Sequence, residues 1–496
     1  MHVSSFLSHW QLNEHPFLAE EARLDTVFSR LAPRTRHPDF AKVLGDPARP
    51  GTAVVFGEKG SGKTAMRLQI EAAVRTHNDA RPDTRIWVIA YDELNPMLDS
   101  FCRRAGARSK SPEETLAKLT LVDHIDGMLS VATPGLVDLV LAGATANGKA
   151  LRLDAATRQD VAMLAALYDR GAVPERAARL RRRLGFWAPS RLLVTRWLAL
   201  TLVVLFGAAA LGYRYTHGPE SERDLLLLIA LGALGVVALA AGIRAGIEAA
   251  RVWRLAHRVH RQVRVIERSP GTLRHALERL PTPVLGAASF PIDALDESRY
   301  QLLDRFRRAI APLGYVHVLV LFDRLDEPTL VSGDTRRMRA VAWPLFNNKF
   351  LQQPGFAIKM MLPLELRHEL RRESSEFFQE ARLDKQSLVE RLSWSGATLY
   401  DLCSERLVGC RAAGAEPLSL VALFGDDVNR QDLIDALDQM RQPRDAFKLL
   451  YQVIQEHCTH TPEESAVWRI PRLTLDHVRR AQSGRLEELQ RGIGPA

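Results

Sequence analysis

The sequence predicts an α/β fold: a parallel sheet interrupted by a long helical insertion and followed by a helical C-terminal region. Three observations carry that expectation. A glycine-rich loop, Gly57 to Thr64, stands between a strand-like run, Thr52 to Phe56, and a helix-like run from Ala65. A second apolar run, Val316 to Phe322, ends in the acidic group Asp323-Arg324-Leu325-Asp326-Glu327. Between them, from about 110 to 290, helix-like segments follow one another, and two long stretches carry no charge.

A chain of 496 residues has room for two to four domains. Its hydrophobic share of 46% is ordinary for a globular protein, so the uncharged stretches are local features. Cys102, Cys403, Cys410 and Cys458 show no metal-ligand spacing and read as reduced, mostly buried thiols of a cytosolic compartment. Met1 to Pro16 lacks the apolar core of a secretory signal. The net charge of +9 is concentrated: residues 176–196 hold seven arginines and no acid, and residues 244–268 hold seven arginines against Glu248 and Glu267. The remainder is slightly acidic, which argues against a broad nucleic-acid-binding face and a soluble DNA-associated protein.

Residues 1–50 form a lead-in, with Trp10 to Phe17, a helical pattern and prolines at 33, 38, 47 and 50. It is expected either beside a nucleotide base or as a helix capping the sheet edge. Residues 51–110 open the sheet core. Gly57-Glu58-Lys59-Gly60-Ser61-Gly62-Lys63-Thr64 matches G-x-x-x-x-G-K-[ST] at every fixed position, in the strand–loop–helix setting that gives the motif meaning. Glycines let backbone N–H groups turn toward phosphate oxygens, and the helix start adds positive potential. Lys63 is expected at the β- and γ-phosphates and Thr64 on Mg²⁺. Thr84 to Ala90 reads as a second buried strand.

Residues 111–290 read as a helical insertion. Pro112-Glu113-Glu114 starts a helix, with Asp123 to Asp126 within or near its end, and residues 156–184 form a further helix that turns basic. Trp197 to Tyr213 and Leu225 to Ile243 then run 17 and 19 residues without charge. At 1.5 Å per residue they span roughly 26 and 29 Å, close to the hydrocarbon thickness of a bilayer. The arginine-rich flanks lie outside this pair, while the linker Arg214 to Asp224 includes Glu220, Glu222 and Asp224. The positive-inside rule then predicts a two-helix transmembrane hairpin with both flanks, and both termini, on the cytoplasmic side. Trp197, Tyr213 and Tyr215 stand where interfacial aromatics are expected. Neither run holds an ionisable residue to mark a transport pathway.

Residues 291–370 resume the core. An amphipathic helix over 298–310 precedes the strand that ends at Asp323, the expected partner of the magnesium shell. Asp326 or Glu327 is placed to orient or deprotonate an attacking water. Phe356 to Pro363 reads as the next strand, with Lys359 either a phosphate sensor or a surface lysine. Residues 371–496 are expected to be helical throughout. Trp394, Leu399, Leu402 and Leu407 fall at core-like helical spacing, and Pro443-Arg444 opens a lid helix whose arginine is a candidate nucleotide contact.

The loop, a hairpin inserted before the acidic strand, and Asp323-Arg324-Leu325-Asp326 together resemble the KAP family of P-loop NTPases, within the broader STAND and ORC-like ATPases. Phe322 stands where that family usually has the first of two adjacent acids. The resemblance implies a membrane-tethered cytosolic ATPase domain of the additional-strand class with a C-terminal helical lid; some bacterial members are linked to phage exclusion. It also implies ATP rather than GTP as the nucleotide, and homo-oligomers in which a neighbour supplies an arginine, with Arg367, Arg371 and Arg372 as candidates here. Two functions fit: a membrane-anchored switch or motor that hydrolyses ATP with Mg²⁺, and a nucleotide-gated scaffold that recruits an unidentified protein partner.

Overall fold

The computed structural model describes the chain apart from residues 19–20, 32–35, 106–110, 145–147, 149, 170–173, 187–190, 217–221, 281–283, 286–289 and 491–496. Five strands, β1 (Ala53–Gly57), β2 (Arg85–Tyr91), β3 (Tyr315–Phe322), β4 (Phe356–Pro363) and β5 (Ser387–Val389), form one sheet in the order β2-β3-β4-β1-β5. Every neighbouring pair is parallel. β1 and β4 are buried along their whole length, as parallel strands covered on both faces must be.

Alternating residues divide the sheet into two faces. Val55, Leu319, Leu321 and Met361 join Met66, Ile70 and Val74 of helix α1 (Lys63–Ala80), together with Phe40 and Val43. Phe56, Ile89, Val320, Ile358 and Met360 face the helices inserted between β2 and β3. Among these are α2 (Leu121–Ala142), α3 (Ala155–Tyr168) and α6 (Asp296–Ile310). The hairpin helices α4 (Arg191–Thr216) and α5 (Glu222–Gln262) pack along each other between α3 and α6 in the chain.

α2 is the one helix among the described residues long and apolar enough to cross a bilayer, and it is mostly buried in the protein. Its polar residues explain that placement. Asp126 accepts from Tyr168 Oη at 2.6 Å and pairs with Arg299 of α6 at 3.2 Å, both partners of the pair being fully buried. Asp123 accepts from Arg264 Nη2 at 2.6 Å and Nε at 3.0 Å, just beyond the end of α5. Arg104 donates to carbonyls of His260, Val263 and Ile266 at the same end. Asp123 lies in the first turn of a second helix, not near the end of the one begun at Pro112, because the Pro112–Leu116 helix closes after five residues.

The described apolar side chains of α4 and α5 are mostly exposed, with Trp197 69%, Val236 67% and Leu239 65% open. At their crossing, a Cβ on Gly235 would stand 2.9 Å from the Phe206 ring, so the glycine permits the close approach. The side chains of Tyr213, Arg214, Tyr215, Glu222, Arg223 and Asp224, and the whole of Glu220, lie outside the described residues.

Three expectations change. The region past 371 is not wholly helical: Ser387–Val389 pairs with β1, a strand too short to show a period in sequence. Lys359 is neither sensor nor surface lysine. It sits opposite Ala53, four residues before the end of β1, is 2% exposed, and donates to Val43 O at 2.5 Å and Leu44 O at 3.2 Å. The lead-in divides: its helix Phe40–Leu44 caps the sheet edge at β1 and β5, with Lys42 Nζ donating to Leu388 O at 2.8 Å, while its first helix, Val3–His9, does not. Phe6, Leu12, Phe17, Val27 and Leu31 pack into a separate core with the C-terminal helices α8 (Gly396–Cys410), α9 (Arg430–Met440) and α10 (Pro443–His460).

His124 sets an acid limit on this fold. Its Nε2–H donates to Val341 O, in helix α7 (Thr335–Ala342), at 2.8 Å, and Tyr91 Oη donates to its Nδ1 at 3.1 Å. Burial holds it down to about 4 against an ordinary value near 6.5. The unfolded chain therefore takes up this proton first as pH falls, and stability present above pH 6.5 is lost on the way to 4. Urea unfolding between pH 7 and 4 should show that loss, and His124→Gln should make the slope shallower by about one proton.

Candidate functional site

β1 ends at Gly57, opposite Pro363 of β4, and the chain turns through Glu58–Ser61 into α1. Gly60 and Gly62 both have φ of +93°, a left-handed conformation that glycine adopts without penalty. Gly62 precedes α1 and supplies no side-chain cap, so the first N–H groups of an 18-residue helix are left for another acceptor. Lys63 Nζ folds back to donate to Gly57 O at 2.8 Å and Glu58 O at 2.9 Å. Burial lowers its pKa, partly offset by Asp326, Asp323 and Glu365, with Arg444 acting in the same direction as burial.

Asp323 follows β3 directly and is 1% exposed. Burial raises its pKa, while the Thr64 hydroxyl, the Arg324 backbone, Arg67 and Lys63 pull it down. Its Oδ2 has no hydrogen bond among the described residues, and Arg67 Nε stands 3.5 Å away, beyond good hydrogen-bond geometry. A buried carboxylate oxygen in that state fits a cation ligand, with the Thr64 hydroxyl as its neighbour. Among the described residues no group of three or more His, Cys, Asp or Glu side chains makes a metal cage, so a cation here would need oxygens from a ligand or water. The four cysteines are free and three are buried.

Arg67 is also 3.2 Å from Asp92, at the end of β2, and Asp92 pairs with Arg23 of the lead-in. The ordered series Asp323–Arg67–Asp92–Arg23 was not visible in the sequence. Beyond Asp323, its one signal is Asp92, the acid that follows the apolar run Thr84 to Tyr91. Arg324 takes φ of +59°, rare for a side-chain-bearing residue, and pairs with Glu327. Glu327 is exposed, whereas Asp326 is half-buried and is the first-ranked of the charges that counter the burial of Lys63.

The C-terminal helices lie on the loop. Trp394 Nε1 donates to Ser61 O at 2.8 Å; it precedes α8, packs against the C-terminal core and touches the glycine loop as well. Arg391 and Gln442 both bond Glu58. A Cβ on Gly60 would stand 3.0 Å from Arg444 Cβ, at the start of α10. Between these parts lies a cavity of about 410 Å³. Its walls bring together Lys59, Gly60, Gly62, Lys63, Thr64, Asp323, Asp326, Glu327 and Arg444. Gly57, Glu58 and Ser61 shape the loop from behind. Phe28 and Leu31 of the lead-in also line it, with Leu402 and Phe447. Arg371 and Arg372 are engaged by Glu390 and Glu369, away from this cavity.

No family model, curated protein or solved structure matches this chain.

The Asp323–Arg67–Asp92 series makes Arg67 a stability determinant. Arg67→Ala leaves two carboxylates, 1% and 5% exposed, without their shared cation. The expected cost is about 3–5 kcal/mol, read as a large fall in thermal midpoint. An unchanged midpoint would show that the pairing is not formed in solution.

Proposed function

We infer that the chain is a P-loop ATPase anchored in a membrane by a helical hairpin. The observation that carries the reading is the convergence of Lys63, Thr64 and Asp323 on one cavity, with Asp323 Oδ2 lacking a hydrogen-bond partner among the described residues. The sheet order supports it: β4 lies between β1, which feeds the glycine loop, and β3, which carries the acid. That is the additional-strand arrangement implied by the resemblance to KAP-type NTPases.

In this reading the loop N–H groups and the start of α1 cradle the phosphates of ATP. Lys63 leaves its carbonyl partners for the β- and γ-phosphates. Thr64 and Asp323 would hold Mg²⁺, which supplies charge neutralisation between the terminal phosphates. Asp326 is the favoured residue to orient the attacking water, since it lies on the cavity wall near Lys63. Arg444 sits over the loop from the lid helix, where it senses the phosphates or stabilises them. The pairing of Glu327 with Arg324 favours the second reading, a scaffold that binds ATP with little turnover.

Membrane anchoring is supported by the exposed apolar side chains of α4 and α5 and by the arginines on both flanks. Stripping the membrane fraction with alkaline carbonate should leave the protein in the pellet. Deletion of residues 191–243 should release it.

Nucleotide binding and turnover by detergent-extracted protein test the site. Lys63→Ala should abolish ATP binding, and retained affinity would remove the phosphate assignment. Asp326→Asn should keep binding and lower turnover by about 10²-fold or more, with a smaller effect from Glu327→Gln. The reverse ranking would move the base to Glu327. Tight binding without turnover in the wild type would favour the scaffold.

A further inference from the structure

The cavity wall also holds a buried ion pair that phosphate chemistry does not use. Arg406, on α8, is 3% exposed and lines the cavity with Asp25 and Phe447. Three of its features are fixed by the fold. Nε donates to Pro16 O at 2.7 Å, Nη1 donates to Asp25 Oδ2 at 2.6 Å, and the guanidinium lies 4.5 Å over the Phe447 ring. The fourth is open: Nη2 is buried with no hydrogen-bond partner among the described residues. Asp25 Oδ1 accepts from Phe28 N at 3.0 Å, which orients the carboxylate and leaves it acceptor capacity.

A buried, charged donor without an acceptor is costly, and the geometry around it is too well held for it to turn elsewhere. The surrounding wall is apolar and aromatic, from Phe28, Leu31, Leu402 and Phe447. An occupant that satisfies this wall is flat and apolar on its faces. At its edge it presents a hydrogen-bond acceptor beside a donor. A nucleobase has that form, as on the N1/N6 edge of adenine.

We propose that Arg406 reads the base of the nucleotide: Nη2 donates to a ring acceptor, while Asp25 holds the guanidinium and takes the neighbouring base N–H. The assignment rests on the nucleotide reading of the glycine loop. It makes the lead-in and α8, rather than the sheet, the source of base selection.

The test compares ATP with inorganic tripolyphosphate, both with Mg²⁺, by calorimetry on the detergent-extracted full chain. The wild type should bind ATP more tightly than tripolyphosphate. Arg406→Lys keeps a cation beside Asp25 and removes the second amino group. It should weaken ATP about tenfold and leave tripolyphosphate unchanged. A second measurement needs no variant and so does not depend on the variant folding. Of the 1-, 3- and 7-deaza analogues of ATP, one should bind the wild type about tenfold more weakly than ATP itself. Equal affinity for ATP and all three analogues would overturn the assignment while leaving the phosphate site intact. Equal affinity for ATP and tripolyphosphate would do the same. If the wild type binds neither ligand, the phosphate site falls and this assignment falls with it.

Discussion

A carboxylate buried at the end of a parallel strand has to be answered by charge, and the arrangement around Asp323 follows from that need. Desolvation disfavours its ionised form, so the fold surrounds it with the Thr64 hydroxyl, the Arg67 guanidinium and the Lys63 ammonium. Two of those residues lie in the first turn of α1 and the third one turn further on. Arg67 is then itself a buried charge. Asp92 balances it from the end of β2, and Arg23 balances Asp92 from the lead-in. One buried charge thereby ties together β3, α1, β2 and the N-terminal segment.

The parts of the fold legible in the sequence are those that local pattern dictates. β1, β2, β3 and β4 are apolar runs broken only by Arg85, His317 and Lys359, the pattern of parallel strands covered on both faces. The glycine loop is equally local, since its geometry needs particular residues at fixed offsets. β5 escaped notice because three residues carry no period. Lys359 was misjudged because its burial depends on carbonyls more than 300 residues earlier in the chain. The contacts of Trp394, Arg406 and Gln442 are likewise made across more than 300 residues. No spacing rule reaches that far. Half of the candidate site is thus readable as a motif, and the other half exists only once the lead-in and C-terminal helices have formed their common core.

That shared core explains why the lead-in contributes to the cavity at all. Phe6, Phe17, Val27 and Leu31 bury themselves against α8 and α10, not against the sheet. The early part of the lead-in and the C-terminal helices therefore share one core, and the C-terminal side reaches the glycine loop through hydrogen bonds at Glu58 and Ser61, while Phe40 and Val43 stay with the sheet. The glycine loop and Asp323 line the cavity from the sheet side, and Phe28, Trp394 and Phe447 line it from the covering side. The cavity is thus walled by two hydrophobic cores, and its shape depends on how they meet.

The insertion is fastened to the same sheet by a second set of buried polar contacts. Tyr91 Oη bonds His124 of α2, and its chain neighbour Asp92 belongs to the charge series at the cavity. His124 in turn neighbours Asp123, which accepts both nitrogens of Arg264 just past the long hairpin helix. The route from cavity to hairpin is therefore made of adjacent residues on two rigid elements, β2 and α2. Its members are unequal. Arg264 to Asp123 is bidentate at 2.6 and 3.0 Å, and Tyr91 to His124 is 3.1 Å, while Arg67 Nε to Asp323 Oδ2 is 3.5 Å and makes no hydrogen bond. The series is therefore bidentate at the end of the hairpin helix and has its longest contact at Asp323, so the acid that closes β3 is tied to the insertion through charge rather than through an unbroken row of hydrogen bonds.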